Sequence, residues 1–217
     1  MASWIVNCRH LIFVAVCARA ASAQAPRPIC RDSVESRAIA CANGVARRAG
    51  HTLVLRLRSG REARFIDDTA READGGYYFN GRLGRSRFLL VESWGHETYP
   101  TWSVVNDSTG RRVDGLYEPV VSPDALRFAG TAEGWDNCTE GDGPGLEIWR
   151  LTDSVPVREL RWRPWDCSHF AGWGPTAARW RGADTVAFIV RHARSATTRT
   201  GVVVRSGVSW RVSAPRP

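Results

Sequence analysis

From His51 onward, apolar and polar residues alternate in short runs separated by turn-forming residues, and no run keeps a helical period for more than a turn or two. In "TLVLRLRSGREARFID", Leu53, Leu55 and Leu57 alternate with Val54, Arg56 and Arg58, Ser59-Gly60 turns the chain, and Ala63 and Phe65 resume the alternation. That pattern predicts a hairpin with one buried and one wet face. Three later stretches share an extended segment, a polar turn and a second strand carrying phenylalanine: "YYFNGRLGRSRFLLVES", "YEPVVSPDALRFAGTAE" and "AARWRGADTVAFIVRHA". Phe88, Phe128 and Phe188 occupy the same place in each, and each stretch is followed by a further hairpin, "WSVVNDSTGRRV", "LEIWRLTDSVPVREL" and "GVVVRSGVSWRV". Each unit reads as four short strands in a meander. The hairpin at Leu53 to Ile66 reads as the second and third strands of an incomplete unit, with Tyr77 to Asn80 as its fourth. The expected fold class is all-β, with about four short antiparallel sheets in propeller-like meander repeats. The ring is either incomplete or four-bladed, and a β-sandwich is the alternative.

Two turns carry a more specific signature. Asn106-Asp107-Ser108-Thr109-Gly110 closes a hairpin with an Asp-x-x-Gly pattern, and Ser122-Pro123-Asp124 precedes a strand. At these residues the chain resembles the TolB-type and WD40-like (PD40) β-propeller repeats, over roughly residues 77 to 217. Ala125 stands where the repeat usually has glycine, and the third copy, Gly182-Ala183-Asp184, has neither the serine nor the proline. The order "NDSTG … EPVVSPDALRFAG … LEIWRL" is similar to that of a group of short exported bacterial proteins. The resemblance implies a fold and a location and brings no catalytic residues with it.

The first residues read as an export signal. Arg9 and His10 precede an apolar run from Leu11 to Ala18, and Ala21-Ser22-Ala23 supplies small residues for cleavage. The run is too short to span a bilayer. Val16 stands where an acylated cysteine wants Gly or Ala before it, so Cys17 is expected to leave with the signal. The expected organisation is a signal peptide over residues 1–23, a cysteine-containing segment over 24–50, and a β-repeat domain over 51–217. Within the middle segment, Asp32 to Ala40 is expected to form a short helix capped by Asp32 or Ser33. The mature chain, beginning at Gln24, is placed in the periplasm or outside the cell, with no transmembrane segment.

Composition narrows the partners. All thirty positive residues are arginine, giving a net charge of +8, and they are spread among acidic residues along the whole chain. A nucleic-acid surface concentrates its charge in a stripe, so nucleic acid is not an expected partner. Four cysteines remain after the signal, an even number that suits an oxidising compartment. In a meander the loops holding Cys138 and Cys167 emerge at one end, which makes their bridge natural and leaves Cys30 with Cys41.

The candidate chemistry gathers in the same loops. "EGWDNCTEGDGPG" brings together Glu133, Asp136, Asn137, Glu140 and Asp142, hard oxygen ligands of the kind calcium takes, although such residues also dominate ordinary solvated loops. "RWRPWDCSHFAGWGP" crowds Trp162, Trp165 and Trp173 around Cys167, beside Arg161 and Arg163, and a bridge to Cys138 would bring Trp135 close. These residues are the expected ligand-binding set, an aromatic platform for a sugar or peptide, against the commoner use of tryptophan in packing between sheets. Asp166 and His169 are the acid-base pair of the alternative reading, an envelope hydrolase. A nucleophile with its base and stabiliser is not visible, so no catalytic residue, metal or cofactor is expected. The reading that results is a non-catalytic binding module for an envelope protein or glycan; the third alternative is a structural module that self-associates as a homodimer.

Overall fold

The computed structural model describes residues 30–69, 75–95, 100–132, 145–163, 173–192 and 197–214. Apart from one short helix, α1 (Glu35–Cys41), they form four antiparallel sheets. The first holds β1 (Ala46–Ala49), β2 (Thr52–Arg56) and β3 (Glu62–Ile66). The second holds β4 (Gly76–Arg82), β5 (Phe88–Trp94), β6 (Thr101–Asn106) and β7 (Arg112–Leu116). The third holds β8 (Val120–Val121), β9 (Arg127–Ala132), β10 (Gly145–Arg150) and β11 (Val157–Trp162). The fourth holds β12 (Trp173–Trp180), β13 (Thr185–His192), β14 (Thr198–Ser206) and β15 (Ser209–Ser213). Within every sheet, neighbours in space are neighbours in sequence. The protein is thus all-β, in propeller-like meander repeats.

The sheets stack face to face in chain order, because each interior sheet is apolar on both faces. Among the described residues the buried side chains form three clusters, one between each consecutive pair. In β5, Leu89 and Val91 pack with Leu53, Leu55 and Phe65 of the first sheet, while Phe88 and Leu90 pack with Phe128 of the third. The strand period of two therefore turns the continuous run Phe88-Leu89-Leu90-Val91 into two opposed core faces. In β9, Phe128 likewise turns toward the second sheet and Ala129 toward the fourth. The fourth sheet buries Val186, Phe188 and Val190 and leaves Ile189 and Val204 exposed, so its alternation is one-sided. Gly201 lies directly beneath the Phe188 ring, where a Cβ would come within 2.2 Å of it.

The first sheet differs from the expectation. Tyr77 to Asn80 is not its fourth strand: it lies in β4, pairs with β5, and opens the second sheet. The third strand of the first sheet is β1, paired with β2. Its sequence, Ala-Arg-Arg-Ala, lacks an alternating apolar signal, and its arginines are neutralised by ion pairs across the sheet and helix. The β structure thus begins before His51. The helix also starts later than expected, at Glu35 after Val34, and Asp32 accepts the Val34 N–H instead of capping a helical turn. Fully buried Ala38 joins the first core cluster, so this segment belongs to the β domain's packing. The Cys30–Cys41 disulfide closes it, with Cα atoms 5.4 Å apart.

Candidate functional site

A meander has two ends. In the three four-stranded sheets the turns between first and second strands and between third and fourth strands lie at one end, joined there by the β2–β3 turn of the first sheet, and the longer connections lie at the other. At the turn end, side chains of the recurring turns lock the sheets together. Asn106 accepts the Ser108 and Thr109 N–H groups on Oδ1 and donates from Nδ2 to the carbonyls of Asp153 and Ser154 in the third sheet. Asp107 accepts Arg82 at 2.9 Å and Arg58 of the first sheet at 3.1 Å. Asp107 is fully buried and Arg82 is 5% exposed, so this is an ion pair taken out of water. The Arg58 N–H also donates to the Asp107 carbonyl at 2.7 Å. One five-residue turn therefore holds three sheets in register.

The Ser-Pro-Asp turn is built from its own side chains. Ser122 Oγ lies 2.6 Å from Asp124 Oδ1 and accepts the Arg127 N–H at 2.9 Å, while Asp124 also accepts the Leu126 N–H at 3.0 Å. Burial works against the Asp124 carboxylate, but these donors outweigh it and hold the carboxyl below its ordinary range. Ala125 follows at φ 57°, in the left-handed region that favours glycine.

Between the turn ends of the second and third sheets opens a cleft of about 590 Å³. Arg58, Arg85, Arg87 and Arg150 line it together with Asp153, and Phe88, Leu126 and Leu151 are its larger apolar lining residues. Arg150 is steadied by Glu159 at 3.0 Å and Arg87 by Asp153 at 3.0 Å. None of these arginines was singled out by sequence reading, because they are far apart along the chain. For Arg85, Arg87 and Arg150 the repeat phase was the available signal, since each sits in or beside a first-to-second or third-to-fourth turn; Arg58 sits in the β2–β3 turn of the three-stranded first sheet, which the expected phase placed at the other end.

At the opposite end lie the described members of the expected ligand-binding set, Arg161, Trp162, Arg163 and Trp173. Ala132, Gly145 and Trp162 sit side by side where β9, β10 and β11 end or begin, so the chain segments that hold Cys138 and Cys167 leave from the same end of the third sheet. Trp162 is half-buried, with its ring 5.3 Å from that of Phe188 in the core between the third and fourth sheets. Arg161 reaches buried Glu147 at 3.4 Å, and Glu147 also accepts the Trp149 indole N–H at 2.9 Å and Arg158 at 3.3 Å. Arg163 ends the described segment after β11, and Trp173 opens β12. Tyr117 lies across Gly130, whose Cβ would come 2.9 Å from it. Burial and then the Glu147 charge push its phenol up, against the pull of Arg161 and Arg163. Trp135, Trp165, Asp166, His169, the expected Cys138–Cys167 pair and the acidic loop from Glu133 lie outside the described residues.

A third polar centre joins the last two sheets. Glu159 accepts Arg127 at 2.8 Å and the Trp210 indole at 3.1 Å. Burial opposes its ionisation, but the Arg127 and Trp210 hydrogen bonds and the charges of Arg127 and Arg205 outweigh it, so its carboxyl lies below the ordinary range. Among the described residues no three His, Cys, Asp or Glu side chains gather as a metal site. The chain matches no family model, no curated protein and no solved structure.

Proposed function

We propose that the protein is an exported binding module for an envelope protein or glycan, gripping its partner at one end of the stacked sheets. The observation that carries this reading is the arginine-lined cleft between the second and third sheets, an open concavity within the roughly 300–1,000 Å³ typical of ligand sites. Binding is favoured over turnover because the best-placed carboxylates are already engaged: Asp107 by Arg58 and Arg82, Glu147 by Arg158 and Arg161, and Glu159 by Arg127 and Arg150. Such groups steady the fold. Export is supported by the signal-like first residues and by the Cys30–Cys41 disulfide, a bond at home in oxidising compartments. No helix among the described residues is long and apolar enough to cross a membrane.

The test compares two double variants of the mature chain on immobilised envelope protein and envelope polysaccharide fractions. Retention lost in Arg85→Gln/Arg87→Gln locates the grip at the turn end. Retention lost in Trp135→Ala/Trp165→Ala locates it at the loop end. A folded protein that neither fraction retains removes the binding reading.

A further inference from the structure

The cleft's chemistry narrows its occupant. Four arginines and one aspartate line it, and the arginines' constraints differ. Arg58 and Arg150 are anchored through Nε, on buried Asp107 and on Glu159, while their side chains stay 43% and 47% exposed. Their stems are thereby fixed, and less side-chain freedom is lost when a ligand arrives. Arg87 pairs with Asp153, whose side chain is 94% exposed, so this contact is cheap to exchange for a ligand carboxylate. Arg85 is exposed and forms no ion pair among the described residues. The concavity is therefore matched to a ligand with two or more negative charges, and guanidinium forks suit planar carboxylates in particular.

The apolar lining of the cleft separates peptide from sugar. A pyranose ring is usually held against an open aromatic face, yet the lining's aromatic ring, Phe88, is 1% exposed because it belongs to the core between the sheets. The accessible apolar group is Leu126 instead, 56% exposed at the rim and held outward by the Ser-Pro-Asp turn. An exposed aliphatic side chain among arginines complements an acidic peptide that also carries aliphatic residues. We infer that the turn-end cleft binds an extended acidic segment of a protein partner, through carboxylates on Arg85 and Arg87 and an aliphatic side chain on Leu126. This inference rests on the binding-module reading and makes it specific in surface and ligand class.

The probe is a fluorescein-labelled acetyl-Glu-Leu-Glu-Glu-Leu-Glu peptide, followed by fluorescence anisotropy with the mature chain at low salt. Three comparisons accompany it: the same peptide with Gln for Glu, the same peptide with Ser for Leu, and tetragalacturonate as a competitor. The acidic leucine peptide is expected to bind and to weaken as salt rises, while the Gln peptide fails. Arg85→Gln/Arg87→Gln should weaken binding about tenfold, the equivalent of two modest exposed ion pairs. Leu126→Ser should weaken the leucine peptide and leave the serine peptide unchanged. These three side chains lie outside the buried ion pairs, so the variants keep the fold, which circular dichroism verifies. Tetragalacturonate binding that depends on Arg85 and Arg87, without peptide binding, would overturn the peptide assignment and leave the module reading standing. Peptide binding that is indifferent to the arginines would overturn the cleft as its site. If neither probe binds while the envelope fractions still retain the double arginine variant, this inference fails alone. If those fractions retain nothing, both readings fail together.

Discussion

Asp107→Asn removes the charge at the junction of three sheets with almost no change in shape. The substitution leaves Arg82, 5% exposed, without its counter-ion, although Arg82 still donates to the Ser86 carbonyl at 3.0 Å. Breaking a buried ion pair by removing one partner costs about 3–5 kcal/mol. The Arg58 contact, made by a side chain 43% exposed, adds at most about 1 kcal/mol. For a chain of this size, each kcal/mol moves the thermal midpoint by roughly 2–4 °C, so a fall of about 6–24 °C is expected. Urea denaturation followed by tryptophan fluorescence gives the free-energy difference, with Arg82→Met and the double variant completing a cycle. The double variant should be more stable than Asp107→Asn alone, because no buried charge is left unpaired. A loss below about 1 kcal/mol for Asp107→Asn, or a double variant that simply sums its singles, would refute the clasp.

Glu159→Gln tests the junction of the third and fourth sheets through pH. A carboxyl held below its unfolded value stabilises the fold above the ordinary carboxylate range and loses that contribution as pH falls through its lowered value. The variant should therefore be less stable at pH 7, by a gap in urea midpoint that narrows as pH falls below the ordinary carboxylate range; a gap constant with pH would count against the ion pair. Ala125→Gly relieves a left-handed alanine and should raise stability by up to about 1 kcal/mol, the strain relieved less glycine's added unfolded-state freedom, with calorimetry as the check. Gly201→Ala forces a methyl group into the Phe188 ring and should cost about 1–3 kcal/mol, read as a lower urea midpoint. Non-reducing peptide mapping of residues 24–217 should recover Cys30 with Cys41 and Cys138 with Cys167; free Cys138 and Cys167 would defeat the second pairing.

The repeat units were legible because each second strand announces itself by an apolar run after a polar turn, and Phe88, Phe128 and Phe188 all sit in the predicted core. At Ala125 the backbone is left-handed, a conformation glycine prefers. Strand β1 was not legible, since two of its four residues are arginines whose ion-pair partners Glu62, Glu35 and Asp67 are brought from elsewhere. The same limit hid the cleft. Nothing local separates Arg82, locked in the interior, from Arg85, three residues on and exposed; only the stacking of neighbouring sheets assigns one to structure and the other to the surface. Arg161 and Trp162 show the converse, for they look like a displayed pair in sequence, yet one leans on Glu147 and the other on Phe188.

Because every sheet is a local meander and every core cluster joins sheets adjacent in sequence, the molecule approximates a one-dimensional array with nearest-neighbour couplings. Strand pairing is confined to chain-consecutive strands within each sheet, so folding can advance sheet by sheet from either terminus. Opening the fourth sheet sacrifices one interface, whereas opening the second sacrifices two together with the Asp107 clasp. Amide exchange should accordingly be slowest in β5 and grade toward both ends, with the terminal sheets exchanging through partial openings that never reach the centre.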